Sequence, residues 1–411
     1  MEPQGSRETF RYGRPEPRAI PAPPGGRVSP FPCILLAGIL LVPFLASSCS
    51  HAPLSAGTPP RFLPPKEVAA FPGAVLRVSF SPEGGHVALC GEDNAVHTFR
   101  ADTWEAERRL ETASPRVLEI GWNLSGDRIA AVTDEGVHVY GYPSGREIRF
   151  VRVHPPRARP AAREGGADPP GFVWSPEGGR IALAGIENAV VGVFSGAALE
   201  EEVFLKGHYR PVTSMTWDPD GTLYTGSWDG TVRRWDVTSG RGGFVTPNLG
   251  PGNIGLAWLD SIGALATMAY GDMAVLAWEI RTGKLRKKVM SSTPLVLFRP
   301  SADSRVMALA DTERSIRIRG IPGWETSRVL TAEGTVGELR WSPDGRYLAG
   351  KAAGDPAVAV WEVATGGSTR LWVREDELIS LGWSPDGRRL VTGGRSGKVR
   401  EWVLAPDPER R

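Results

Sequence analysis

The feature that most limits how this chain can fold is a unit that recurs eight times. An aromatic residue followed by a short turn appears at Phe80-Ser-Pro-Glu-Gly, Trp122-Asn-Leu-Ser-Gly, Trp174-Ser-Pro-Glu-Gly and Trp217-Asp-Pro-Asp-Gly. It returns at Trp258-Leu-Asp, Phe298-Arg-Pro-Ser, Trp341-Ser-Pro-Asp-Gly and Trp383-Ser-Pro-Asp-Gly. The intervals are 42, 52, 43, 41, 40, 43 and 42 residues. A fixed period of this size marks stacked supersecondary units, each too small to bury its apolar surface without a neighbour.

Within a unit the pattern is strand, turn, strand, turn, strand, as in 212–217, 223–227 and 231–236. The second turn is rich in Asp, Asn and Gly, which tolerate the positive φ of tight hairpins. A fourth strand falls in the connection to the next unit. This predicts an all-β fold, a single closed β-propeller of eight blades with four antiparallel strands each, over residues 66–405. Residues 378–405 supply only three strands of the last blade, so Glu67-Val-Ala-Ala-Phe71 is expected to complete it and leave no long unpaired edge.

The unit from Gly207-His208 through Asp229-Gly230 to Trp235-Asp236 resembles the WD-repeat family, whose Gly-His opening, Asp-Gly turn and terminal Trp-Asp it carries at the family's spacing. Trp278-Glu279, Trp361-Glu362 and Trp402-Val403 keep fragments of the same ending. The resemblance implies that His208, Thr225, Asp229 and Trp235 form a hydrogen-bonded tetrad with a structural task. It also implies that the residue before the turn aspartate, Trp228, faces one mouth of the ring. Two readings of Trp228 stand side by side: an anchor for a protein partner, or an aromatic packed sideways on the next blade. Ser342–Arg346 and Ser384–Arg388 match the Ser-Pro-Asp-Gly-Arg turn of a second propeller family, the periplasmic type of the Tol system.

Residues 1–48 read as a long leading region and signal peptide, since Ile34–Leu45 is uncharged, is short for a membrane span and is broken by Pro43. Leu45-Ala-Ser-Ser-Cys49 resembles a bacterial lipobox, with Ala46 where that family usually has Leu. The resemblance implies lipidation at Cys49. Plain secretion and an uncleaved anchor remain the alternatives, because Ala46 and Ser48 also suit ordinary cleavage. Residues 49–65 have the Pro-rich, polar composition of a tether, and 406–411 form a short tail. With Cys49 lipidated, Cys90 in an apolar strand is expected to be a buried, inert thiol.

Residues 1–48 hold five Arg and three Glu, and the rest of the chain is formally neutral, which argues against a nucleic-acid binder. The six histidines, at 51, 86, 97, 138, 154 and 208, are scattered, and no Cys-x-x-Cys, His-Glu-x-x-His, Gly-x-Ser-x-Gly or phosphate-loop pattern occurs. His86, His97 and His138 fall in or beside strands and are expected to be satisfied structural residues. No catalytic residue, metal ligand or cofactor is assigned. The Pro- and Arg-rich stretch 153–170 accounts for the 52-residue interval and is either a partner-binding loop or a tolerated excursion. The basic run Arg281-Thr-Gly-Lys-Leu-Arg-Lys-Lys288 reads as a solvated edge.

The function expected from these features is a non-enzymatic, monomeric, membrane-anchored WD-repeat scaffold of the cell envelope. It would bind a protein or peptide on one propeller face, facing the periplasm or exterior. The alternatives are a Tol-type propeller that senses or assembles envelope components, and a propeller hydrolase or lyase.

Overall fold

The computed structural model describes residues 59–114, 116–153, 171–186, 189–250, 252 and 254–406. The expected signal peptide, Cys49, most of the expected tether, the stretch 154–170 and residues 407–411 lie outside the described residues.

The strands form eight four-stranded antiparallel sheets, the architecture expected from the repeat. Blades 1 to 7 are consecutive in sequence, spanning 75–111, 117–152, 172–205, 212–244, 254–290, 295–331 and 336–371. Blade 8 combines Leu378–Trp383, Arg389–Gly394 and Lys398–Val403 with Lys66–Ala70, which pairs antiparallel to Lys398–Val403 as its outer strand. The amino-terminal strand expected at 67–71 is therefore present, one residue earlier. The first strand of each blade is innermost, and the inner strands of blades 1 and 8 lie side by side, closing the ring.

Alternation along each strand builds the core between blades rather than within them. The second strand is buried on both faces, as in Ile129-Ala-Ala-Val132 and Met307-Ala-Leu-Ala310, because it is sandwiched by two neighbouring sheets. The fourth strand is largely exposed and reads as polar, as in Lys284–Met290 and Ala106–Glu111. Each apolar cluster spans two adjacent blades: one joins Leu259, Val275 and Val289 of blade 5 to Phe298, Met307 and Leu309 of blade 6.

The recurring tryptophan at the end of the inner strand has a definite task. Its indole N–H donates to the backbone carbonyl of the preceding blade's inner strand: Trp122 to Ser79 at 3.2 Å, Trp174 to Gly121 at 3.4 Å and Trp217 to Val173 at 3.3 Å. Trp341 reaches Arg299 at 3.0 Å, and Trp383 reaches Arg340 at 3.2 Å. The sequence repeat is thus a blade-to-blade hook that satisfies the one polar atom of a large apolar side chain. In blade 6 the alignment from sequence is corrected. Pro300 pairs with Met307 as Phe80 pairs with Val87, so Pro300 occupies the hook position, and Phe298 lies two residues earlier, packed in the core. Blade 5 departs too: its inner strand lacks the bulge seen near the start of the inner strands of blades 1, 2, 4, 6, 7 and 8, and the buried Trp258 indole nitrogen has no hydrogen-bond partner.

Candidate binding face and its buried support

Blade 4 holds the four residues of the expected tetrad within hydrogen-bond reach of one another. Trp235 Nε1 donates to Thr225 Oγ1 at 2.8 Å, Thr225 Oγ1 lies 2.7 Å from His208 Nε2, and His208 Nδ1 lies 2.8 Å from Asp229 Oδ2. One direction of donation satisfies every atom. The indole donates to the hydroxyl, the hydroxyl to Nε2, and Nδ1–H to the carboxylate, which requires a neutral imidazole. Burial pushes His208 below the ordinary histidine range, against the pull of the Asp229 carboxylate, in keeping with that tautomer. Asp229 is itself held ionised, below the usual carboxylate range, although burial works the other way. Hydrogen bonds from the Thr231 hydroxyl and backbone N–H and from His208 outweigh it.

This carboxylate also sets the surface above it. The Tyr209 N–H donates to Asp229 Oδ2 at 3.3 Å and the Tyr209 hydroxyl to the Asp229 carbonyl at 3.3 Å. The Trp228 N–H donates to the Pro211 carbonyl at 3.0 Å, tying the second turn to the loop that leads into the blade. Gly230 completes the turn at φ 80°, where a Cβ would strike Asn248 Oδ1 and the Gly250 carbonyl at about 2.4–2.5 Å, so no other residue fits there.

Above the buried tetrad, Tyr209 is 71% exposed and Trp228 37% exposed. Trp228 therefore shows part of its ring at the mouth. The neighbouring blade adds exposed Tyr270 and Met273 in its second turn and Met290 at the end of its outer strand, all at the same end of the ring. Tyr209, the most exposed aromatic of the group, was missed in the sequence, although its place directly after His208 is the signal that would have found it.

Blades 6 and 8 support their turns with different chemistry. In blade 6 the buried Asp311 takes Arg317 and the Thr293 hydroxyl, and in blade 8 the buried Asp376 takes Arg400. The indole-to-threonine bond returns in blade 5 as Trp278 to Thr267 and in blade 8 as Trp402 to Thr392, both at 2.9 Å. Guanidinium thus replaces imidazole against a buried carboxylate, a substitution that spacing alone does not reveal.

The remaining histidines divide. His86 meets Glu107 and the Tyr142 hydroxyl, each at 2.8 Å, and His97 meets Asp93 at 2.5 Å, as satisfied residues. His138 does not follow that expectation. Its ring is buried between Tyr140 and Phe150, 3.4 Å from Glu147 at its nearest, and neither nitrogen makes a hydrogen bond. Burial pushes it below the ordinary range. Cys90 is free and buried, and desolvation raises its thiol far above the ordinary range, as an inert cysteine requires. Among the described residues, no group of three or more His, Cys, Asp or Glu side chains is placed to hold a metal ion.

Comparison with known proteins fits this geometry. The profile of the "WD domain, G-beta repeat" family matches residues 200–236 and 374–402, the segments that carry the Trp–Thr bond and buried carboxylate of blades 4 and 8. The chain is 23% identical over 396 residues to WD repeat-containing protein 1 of Xenopus tropicalis, covering 81% of this chain and 61% of that protein. It is 27% identical over 164 residues to a ribosome biogenesis protein WDR12 homolog of Chlamydomonas reinhardtii, covering 39% of this chain and 28% of that one. It thus spans less than two thirds of either relative. The computationally designed Ika8 protein superposes with a TM-score of 0.63 at 17% identity, over 82% of this chain and all of that one, a likeness of fold alone. Two matched blades, relatives built from the same repeat and eight four-stranded sheets closed in a ring support a WD-repeat propeller.

Proposed function

We propose that this chain is a non-catalytic scaffold that binds a protein or extended peptide through the end of the ring carrying Tyr209 and Trp228. The observation that carries the reading is the pairing of exposed aromatics with a rigid base: both residues are tied by their backbone to a turn fixed by the buried Asp229. Preordered tyrosine and tryptophan give large contact area with little side-chain entropy left to lose on binding. Exposed Tyr270 and Met273 extend the patch to the next blade with the residue types that interfaces favour. The charge-balanced body disfavours a nucleic-acid partner.

The proposal includes a location at the cell envelope. The uncharged run ending at Cys49 supports export and lipidation, with the Pro-rich segment after it holding the ring off the membrane and the ring itself acting as a monomer. Crosslinking of the full chain in membranes, followed by capture with the parent and with Trp228→Ala and Tyr209→Ala, tests the face. Binding is expected to weaken by about 2 kcal/mol or more per anchor, with little change in melting temperature. Capture unchanged in both variants would move the site elsewhere. Intact mass and membrane extraction of Cys49→Ser test the anchor: an unmodified Cys49 in the parent, or extraction unchanged in the variant, refutes it.

A further inference from the structure

We infer that the central channel holds a small oxyanion of the phosphate type against Arg299, near the end of the ring opposite Tyr209 and Trp228. The residue just before each hook position is identified by the indole bonds to its carbonyl, or by the strand pairing where no hook forms. At this level six blades carry uncharged residues: Ser79, Gly121, Val173, Thr216, Ala257 and Gly382. Blades 6 and 7 carry Arg299 and Arg340 side by side. Two positions nearer the other mouth, blade 7 carries Glu338, and Arg340 Nε donates to its carboxylate at 3.0 Å.

Arg299 has no such partner. Its Nη1 donates to the carbonyl of the adjacent Phe298 at 3.2 Å, and among the described residues no carboxylate lies within ion-pair distance. Desolvation pushes the guanidinium down to about 10, and the neighbouring Arg340 pushes the same way, while Glu338 and Glu119 pull it upward. The group remains charged at neutral pH. A planar fork with five N–H donors, one of them used, matches the oxygens of carboxylate and phosphate alike, and beside a second guanidinium the greater negative charge of phosphate favours it. Arg299 is half-buried, and a partly desolvated charge without a counterion is unfavourable, so an ion taken from solution reduces the deficit.

The test is thermal unfolding of the full chain against inorganic phosphate at neutral pH, with sodium chloride and sodium acetate series at matched ionic strength. The melting temperature is expected to rise with phosphate and saturate, to respond less to acetate, and to stay flat in chloride. In Arg299→Met, which replaces the charge by an apolar side chain of similar length, the phosphate-dependent shift should vanish, while the melting temperature without phosphate equals or exceeds the parent's. A shift that persists in Arg299→Met overturns the assignment, as does a parent response to phosphate no larger than that to chloride or acetate. Should the variant fail to fold, phosphorus NMR of inorganic phosphate titrated with the parent decides: saturable broadening supports a site, and an unperturbed line refutes it.

Discussion

Removing the Asp229 side chain separates support from surface within three adjacent residues, Trp228, Asp229 and Gly230. The carboxylate is buried and accepts four hydrogen bonds, from His208 Nδ1, the Thr231 hydroxyl, the Thr231 N–H and the Tyr209 N–H. In Asp229→Ala the Thr231 hydroxyl rotates to find water or another acceptor, and the Tyr209 bond at 3.3 Å is the weakest of the set. One buried donor remains stranded, the Thr231 N–H, at about 1–3 kcal/mol before relaxation, while the imidazole Nδ1–H keeps only its longer contact to the Thr231 hydroxyl oxygen at 3.3 Å. A tautomer change does not heal the defect. Moving the proton to Nε2 turns it toward Thr225 Oγ1, which already accepts from Trp235, and orphans the threonine hydroxyl instead. A net destabilisation of about 2 kcal/mol follows, roughly 3–4 °C in melting temperature for a ring of this size. Because repeat units open semi-independently, hydrogen exchange should quicken in blade 4 and its neighbours and stay unchanged in blades 7 and 8. Trp228→Ala, by contrast, should fall within about 1 kcal/mol of the parent. An Asp229→Ala protein with parental stability and parental exchange in blade 4 would refute the network as the support of this turn.

Two further expectations bear on the hooks and on pH. Trp341→Phe should destabilise by about 1 kcal/mol, through loss of the bond to the Arg299 carbonyl, whereas Trp258→Phe should be neutral or stabilising because that indole N–H is buried and unpartnered; denaturant midpoints of the two variants check the contrast, and equal losses would contradict it. His138 and His208 are both pushed below the ordinary histidine value of 6.5, so below that pH the unfolded chain binds more protons than the folded ring. Stability should be complete above about pH 6.5 and decline as pH falls from there toward the folded values; His138→Phe should leave the melting temperature near the parent's at pH 7, raise it at pH 5 and flatten the slope between them.

The fold was legible because a propeller writes its period into the chain. A turn recurs wherever an inner strand ends, with an aromatic before it in seven of the eight blades, and the four Ser-Pro-Glu/Asp-Gly turns repeat that corner almost unchanged. The closing strand was legible for a related reason: a last unit with three strands needs a fourth, and 67–71 was the apolar run left over. What the pattern did not disclose is what the aromatic does. Hooking a carbonyl of the previous blade needs an N–H, so Phe80 and Phe298 look equivalent to tryptophan in a hydropathy reading and are not equivalent in hydrogen bonding. In blade 6 that blindness shifted the alignment by two residues, since Pro300 has no aromatic signal although it fills the hook position and ends the strand.

The candidate site was legible only where one blade kept every member of a known set. His208, Thr225, Asp229 and Trp235 could be named together because their spacing is complete, whereas Arg317 with Asp311 and Arg400 with Asp376 meet the same need with residues that look like surface charge in the sequence. The physical requirement is common to these blades: a turn carboxylate or its loop equivalent is buried at the top of the sheet and must receive donors. An imidazole satisfies it while remaining neutral, and a guanidinium satisfies it by ion pairing, which leaves the first arrangement sensitive to protonation below about pH 6.5 and the second insensitive there. The only blade of the three that relies on histidine is the one that presents Tyr209 and Trp228. Acidification should therefore loosen the aromatic face before it loosens blades 6 and 8, and hydrogen exchange at pH 5 against pH 7 distinguishes that order from a uniform loss across the ring.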